Sequence, residues 1–163
     1  MILLALDPNT INTGWCMYNT DNGHTHAGEL STPRGTKKNP VSLNDRKRAQ
    51  RAQLMIVIHS FGDVDHTIIE DVHYAGNFTS PIKIARFADY MIADNTQTWE
   101  YMAPATWRSQ NFKTNKRNDT DTFKVASAFI GRDCKSIDEA TAICIMIAYL
   151  KKNEIDRFPD KTS

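Results

Sequence analysis

Five consecutive apolar residues, Ile2 to Leu6, stand near the start of the chain and are followed directly by Asp7. A continuous apolar run of this length is typical of a β-strand that is buried on both faces of its sheet. Asp7 is then expected at the carboxyl end of a central strand. In an open α/β sheet, those strand ends border the crevice in which ligands bind.

The remainder of the chain alternates between extended and helical patterns. We predict further strands at 14–18, 24–31, 65–70 and 98–102. We predict helices at 42–61, 81–93, 120–130 and 136–152, and an irregular basic stretch at 105–118. The order βββαβαβαα predicts a single α/β domain with a mixed sheet over residues 1–152, followed by a polar tail at 153–163.

Composition restricts the class of protein. The chain has 20 Lys and Arg against 19 Asp and Glu, which argues against a protein that binds nucleic acid through bulk positive charge. Its three cysteines form no C-x-x-C pair, which favours a reducing compartment and indicates neither a disulfide scaffold nor a zinc cluster. No signal peptide or membrane span is predicted. We therefore expect a cytoplasmic protein, bacterial or viral, with an organelle left open.

The positive charges are nonetheless clustered. Between residues 34 and 51 there are seven basic residues and a single acid, Asp45. Such clustering favours contacts with the phosphates of a nucleic-acid backbone; the alternative is a solvated helix face. The candidate DNA-binding residues of this segment are Arg46, Lys47, Arg48 and Arg51.

Acidic residues also stand at the end of another predicted strand and at the start of the last predicted helix. Glu70 follows Ile69 at a strand end, and Asp138 and Glu139 open the last helix. If the strands that end in Asp7 and Glu70 are neighbours, their carboxylates converge, and oxygen ligands of this kind suit Mg²⁺ or Mn²⁺. The alternative is that these acids only terminate strands, and that Glu139 forms a capping box with Ser136.

Three blocks of sequence together resemble the RuvC-type Holliday junction resolvases. They are ILLALDPNTINTGW at 2–15, IIEDVHYAGN at 68–77 and DEATAI at 138–143, in the same order as in that family. The resemblance implies a ribonuclease-H-like α/β fold, a mixed five-stranded sheet with helices on both faces. It also implies a homodimer that cuts four-way and other branched DNA by paired nicks, with two Mg²⁺ or Mn²⁺ ions per active site.

The same resemblance assigns catalytic carboxylates. Asp7 and Glu70 match the first two metal ligands of the family, and Asp7 would bridge the two ions. In one register Asp138 is the ligand on the last helix and Thr141 replaces the final acid. In the other register Glu139 is that final acid. In both registers one acid of the usual pair is absent.

Basic and aromatic residues complete the prediction. Lys116 is the preferred cation near the scissile phosphate, and Lys113, Arg117 and Arg108 are further DNA-binding candidates. His73 and Tyr74 fall where the family places an aromatic residue at the junction centre, so that Tyr74 could stack on a base. A solvated basic loop and ordinary loop packing are the alternatives.

Two other functions remain open. One is a catalytically weak module that only binds DNA junctions, in line with the absent acid. The other is an actin-like or sugar-kinase-like ATPase domain, whose first strand also ends in Asp. That fold needs a second domain and a second glycine-rich phosphate loop, which 163 residues with seven glycines do not supply.

Overall fold

The protein was analysed as a computed structural model, which describes residues 1–71, 79–93, 95–112, 116 and 118–155. Its strands are β1 (Ile2–Asp7), β2 (Asn12–Asn19), β3 (Thr25–Ser31), β4 (Val64–Glu70) and β5 (Thr96–Met102). Its helices are α1 (Leu43–Phe61), α2 (Thr79–Ile92), α3 (Pro104–Phe112), α4 (Asp119–Ile130) and α5 (Ile137–Lys152). The predicted strands are all present, each within two residues of its expected limits.

The sheet has five strands in the order β3-β2-β1-β4-β5. Strand β1 is central, and it pairs antiparallel with β2 and parallel with β4. Strands β2 and β3 are antiparallel, and β4 and β5 are parallel. The mixed sheet is therefore as predicted, and Asp7 ends its central strand.

Helices cover both faces of this sheet. The buried side chains of β1 alternate, so that Leu3 and Ala5 join a core with α3, α4 and α5. Leu4 and Leu6 join a second core with α1 and α2. Helix α5 is buried around most of its circumference because it lies between the sheet and the two helices outside it. None of the helices in the described ranges is long and apolar enough to cross a membrane.

The prediction of an irregular stretch at 105–118 was wrong in its first half. Residues 104–112 form helix α3, which begins at Pro104. Proline is favoured in the first turn of a helix because its fixed φ suits the helix and its missing N–H has no partner to lose there. The helix has one fully buried residue, Trp107, and this weak apolar pattern is why the sequence did not indicate it. Helix α5 ends at Lys152, and the N–H of its C-cap residue Asn153 donates to the Tyr149 carbonyl (3.1 Å).

Candidate active site

The first two predicted carboxylates lie at the same edge of the sheet. Strands β1 and β4 are paired up to Leu6 and Ile69, so Asp7 and Glu70 follow side by side, one residue further on. Strand alternation places both on the face that carries Leu3, Ala5 and Ile68, which is the face covered by α5. Neighbouring strands are about 4.8 Å apart, so the two residues are adjacent.

The start of α5 reaches this edge through a glycine. Gly14 of β2 is the strand partner of Asp7. A Cβ atom on Gly14 would lie 1.8 Å from the carbonyl oxygen of Asp138, because the first turn of α5 packs directly against the strand backbone. The glycine thus brings Asp138 next to the strand pair that ends in Asp7. Three predicted carboxylates come from β1, β4 and α5 to one edge.

Glu139, the alternative to Asp138, is hydrogen-bonded to residues of the turn that precedes α5. Its side chain is fully buried. Its Oε1 accepts a hydrogen bond from Arg132 Nη2 at 2.6 Å, and its Oε2 accepts one from the Lys135 backbone N–H at 2.5 Å. The hydrogen bond to Glu139 raises the pKa of Arg132. Both carboxylate oxygens of Glu139 therefore have protein partners, and the catalytic role of Asp138 and of Glu139 stays a prediction.

Trp107 binds Glu70, a contact that the sequence did not predict. Its indole Nε1 donates to Glu70 Oε1 at 2.8 Å, and its side chain is buried in the α5 core. The guanidinium of Arg108, a predicted DNA-binding residue, lies over the indole ring, 5.1 Å from its centroid. Helix α3 therefore holds Glu70 and brings a cation close to it. The only signal in the sequence was a tryptophan shortly after Pro104.

The turn that follows Asp7 is also held from two sides. The Asn9 N–H donates to Thr13 Oγ1 at 3.2 Å, and that hydroxyl donates to the Asn9 carbonyl at 3.0 Å. Gln50 of α1 donates from Nε2 to the Ile11 carbonyl at 2.9 Å. Thr13 and Gln50 are both fully buried. The turn is thereby linked to α1, the helix with the clustered basic residues.

The four predicted DNA-binding residues of α1 have different surroundings. Arg46 Nη2 donates to the Arg34 carbonyl. Arg51 Nη2 donates to the Ala93 carbonyl at 2.8 Å, and its guanidinium lies 4.9 Å from the ring centroid of Tyr90. Lys47 Nζ lies 5.9 Å from the same centroid. Arg48 is exposed. Arg46 and Arg51 therefore hold neighbouring segments to α1, whereas Arg48 faces solvent.

Of the remaining predicted residues, the structure describes Lys116 and Thr141. Lys116 is exposed between α3 and α4. His73, Tyr74, Lys113 and Arg117 lie outside the described residues. Thr141, which stands where the family has an acid in the Asp138 register, is a buried residue of α5. The structure thus places the backbones of Asp7, Glu70 and Asp138 near one edge of the sheet, and the roles predicted for these residues and for the DNA-binding residues stay predictions.

The donor set at this edge fits a hard divalent cation. The donor atoms are carboxylate oxygens. The thiols of Cys144 and Cys16 are poor candidates for metal ligands, because burial raises the pKa of Cys144 to about 12 and also raises the pKa of Cys16. Within the described ranges, no three His, Cys, Asp or Glu side chains are grouped closely enough to enclose a metal ion. Mg²⁺ is commonly held by one or two carboxylates together with substrate phosphates, so an open edge of this kind is compatible with it.

The order and pairing of the five strands, with helices on both faces, are those of the ribonuclease-H-like α/β fold. No protein-family model and no curated relative matches the sequence. Among solved structures, the chain is similar to Thermus thermophilus RuvC, with a TM-score of 0.70 and 11% identity over 95% of this chain and 98% of that one. The same RuvC in complex with a Holliday junction substrate gives a TM-score of 0.71 and 12% identity, over 94% and 96% of the two chains.

A viral structure shows the same likeness at lower similarity. The fowlpox virus Holliday junction resolvase matches with a TM-score of 0.54 and 15% identity, over 94% of this chain and 99% of that chain. The fold of this protein is therefore the RuvC-type ribonuclease-H-like fold, as the sequence blocks predicted.

Proposed function

We propose that this protein is a Mg²⁺- or Mn²⁺-dependent endonuclease that cuts four-way DNA junctions and other branched DNA by paired nicks. The observation that carries the proposal is the side-by-side position of Asp7 and Glu70 at the end of paired strands in a RuvC-type fold. The start of α5 adds Asp138 at the same edge. The Holliday junction bound to the T. thermophilus protein supports branched DNA as the substrate class.

Asp7, Glu70 and Asp138 would hold the metal. When bound, Mg²⁺ would lower the pKa of an attacking water and stabilise the leaving 3′-oxygen of an in-line displacement. Trp107 keeps Glu70 in one orientation through its hydrogen bond to Oε1. Arg108 and Lys116 are the cations that would offset the charge that develops on the scissile phosphate.

Paired nicks require two copies of this site. The chain carries one set of these carboxylates, one residue each from β1, β4 and α5. A homodimer would present two such sets to the two strands of a junction that are cut. We therefore propose that the active species is a homodimer, which sedimentation of the protein with and without junction DNA would test.

The deciding experiment measures nicking of labelled four-way, flap and linear DNA with and without Mg²⁺. We expect paired nicks in the four-way junction only when Mg²⁺ is present. Asp7→Asn should reduce cleavage to background and leave junction binding intact, because it removes a charged metal ligand but alters no buried packing. Asp63→Asn is the matched control, since Asp63 is exposed and precedes β4 at the opposite end of that strand.

The other candidate functions give different results in the same assay. Junction binding without nicking at any Mg²⁺ or Mn²⁺ concentration would favour the binding module, for which the buried Thr141 at the position of a family acid is the supporting observation. Turnover of ATP without DNA cleavage would favour the ATPase domain. Full cleavage by Asp7→Asn would overturn the proposed mechanism.

A further inference from the structure

A short basic turn projects between β3 and α1. We call residues 34–40 the basic turn; all of them are exposed. The Thr36 N–H donates to the Asn39 carbonyl at 3.0 Å, and the Asn39 N–H donates to Thr36 Oγ1, also at 3.0 Å. Gly35 and Pro40 form a β-bridge at the base of this turn. Lys37 and Lys38 therefore stand at the tip of an ordered, hydrogen-bonded turn.

The shape of the basic turn depends on a glycine and on a contact with α1. Gly35 has a φ of +75°, and a Cβ there would lie 2.6 Å from the Val41 backbone nitrogen. A residue with a side chain at this position is strained by both its φ and this contact. The guanidinium of Arg46 binds the Arg34 carbonyl and so fixes the base of the turn to α1.

The base of the basic turn lies at the same edge of the sheet as the candidate active site. Thr32, which precedes the turn, donates to the Ile11 carbonyl from its backbone N–H at 3.0 Å and from its hydroxyl at 3.1 Å. Ile11 belongs to the segment that connects Asp7 to β2. Strand β3 is two strands from β1, which places the base of the turn about 10 Å from the strand that ends in Asp7.

The charge of this segment is complementary to DNA. From residue 32 to residue 44 the sequence has three basic residues and no acid. Lysine side chains bind phosphates as mobile point charges and carry no base specificity. Arg108, stacked on the Trp107 that binds Glu70, lies on the β4 side of the site, so cations stand on both sides of the strand that ends in Asp7.

We propose that Lys37 and Lys38 bind backbone phosphates of the arm of the DNA that passes over the β3 side of the sheet. This contact deepens the proposed function and rests on it, because it takes the candidate active site as the point where the DNA is cut. It is independent of base sequence. It extends the DNA-binding surface from α1 to the β3 side of the sheet.

The test compares binding of a long-armed four-way junction in EDTA at several salt concentrations. The double variant Lys37→Gln/Lys38→Gln should bind about tenfold more weakly at low salt, with a slope of log K against log salt shallower by about 2. Lys151→Gln/Lys152→Gln is the matched control. It removes the same charge from two adjacent lysines at the far end of α5, about 20 Å from Asp138, and should bind like the parent.

Two further measurements separate shape and position from charge alone. Gly35→Val keeps all charges but distorts the basic turn, and it should also weaken binding; its thermal melt checks that the domain remains folded. A junction whose arm phosphates beyond the cut position are uncharged methylphosphonates should bind the parent and the double lysine variant equally. An unchanged salt slope, an equal loss in the control pair, or a loss that persists with the uncharged arms would overturn the proposal.

Cleavage in Mg²⁺ reports on the proposed function separately. If the parent does not cut the junction but the double lysine variant lowers the salt slope, the nuclease proposal fails and the phosphate contact stands. If the parent cuts and the salt slope is unchanged, the phosphate contact fails and the nuclease proposal stands.

Discussion

The two faces of the sheet differ in how their charged side chains are held. On the α5 face, acidic side chains near the candidate site are hydrogen-bonded to protein partners. On the α1 face, basic side chains lie nearer the surface. Glu70 is bound by Trp107, and Glu139 is bound by Arg132 and the Lys135 backbone. By contrast, Arg48 and the basic turn are exposed. The two faces thus supply different groups to one edge, fixed carboxylates from one and mobile cations from the other.

This difference explains why the total charge is a poor guide to function. The near balance of 20 basic and 19 acidic residues is a sum over both faces. A metal ion needs oxygen ligands with fixed positions, whereas phosphates along a backbone can be bound by side chains with considerable freedom. We therefore expect substitutions on the α5 face to affect stability and the chemical step, and those on the α1 face to affect DNA affinity.

The largest effect is expected at the Arg132–Glu139 pair. Arg132→Met leaves the fully buried Glu139 with only a backbone donor, and we expect a loss of about 2–4 kcal/mol in the free energy of unfolding. The value lies at the lower end of the range for buried pairs because Arg132 itself is 42% exposed. Denaturant unfolding would measure it.

A surface pair provides the control for that measurement. Lys152 Nζ lies 3.4 Å from Glu100 Oε1, and the two side chains are 51% and 35% exposed. Lys152→Met should cost less than about 1 kcal/mol. Equal losses in the two variants would mean that the carboxylates of the α5 face are no more firmly held than surface charges.

The next effect is expected at Trp107. Trp107→Phe keeps an aromatic ring but removes the N–H that binds Glu70, and we expect cleavage to fall about 10- to 100-fold, as for other groups that orient metal ligands. The concentration of Mg²⁺ that gives half-maximal cleavage should rise, which a purely structural defect would not cause. Trp99→Phe is the control, because Trp99 is exposed on β5; an equal loss there would contradict the role of the hydrogen bond.

The smallest effect is expected on α1. Arg48→Gln should weaken junction binding a few-fold and make the salt slope shallower by about 1, with no change in thermal stability. Arg51→Gln should in addition destabilise the fold by about 1 kcal/mol, since it loses the bond to the Ala93 carbonyl. Anisotropy titrations at several salt concentrations, paired with thermal melts, would measure both. A stability loss in Arg48→Gln would remove the distinction between the two arginines.

The strand ends could be predicted from the sequence, because each is marked by residues that are adjacent in the chain. A buried strand that is followed directly by an acid identifies Asp7 and Glu70 as strand ends once the α/β pattern is recognised. That their strands are neighbours was only a condition of the prediction, and the pairing of β1 with β4 meets it. The same reasoning correctly located α1, α4 and α5, whose caps at Ser42, Asn118 and Ser136 are hydrogen-bonded in the structure.

The contacts between helices and strands could not be predicted from the sequence, because they join residues far apart in the chain. The bond from Trp107 to Glu70 spans 37 residues, and that from Gln50 to Ile11 spans 39. Nothing in the local pattern around either residue indicates its partner. The bond from Arg132 to Glu139 spans only 7 residues, but the sequence around Glu139 indicated a capping box with Ser136 instead.

Gly14 has a consequence for how this protein can change over evolution. Its missing side chain lets α5 approach to the point where a Cβ would lie 1.8 Å from the Asp138 carbonyl oxygen. An Asp-to-Glu replacement at the site would preserve the type of ligand, but any replacement of Gly14 moves the whole first turn of α5. Gly14 should therefore be as restricted as the acids themselves, although it carries no functional group.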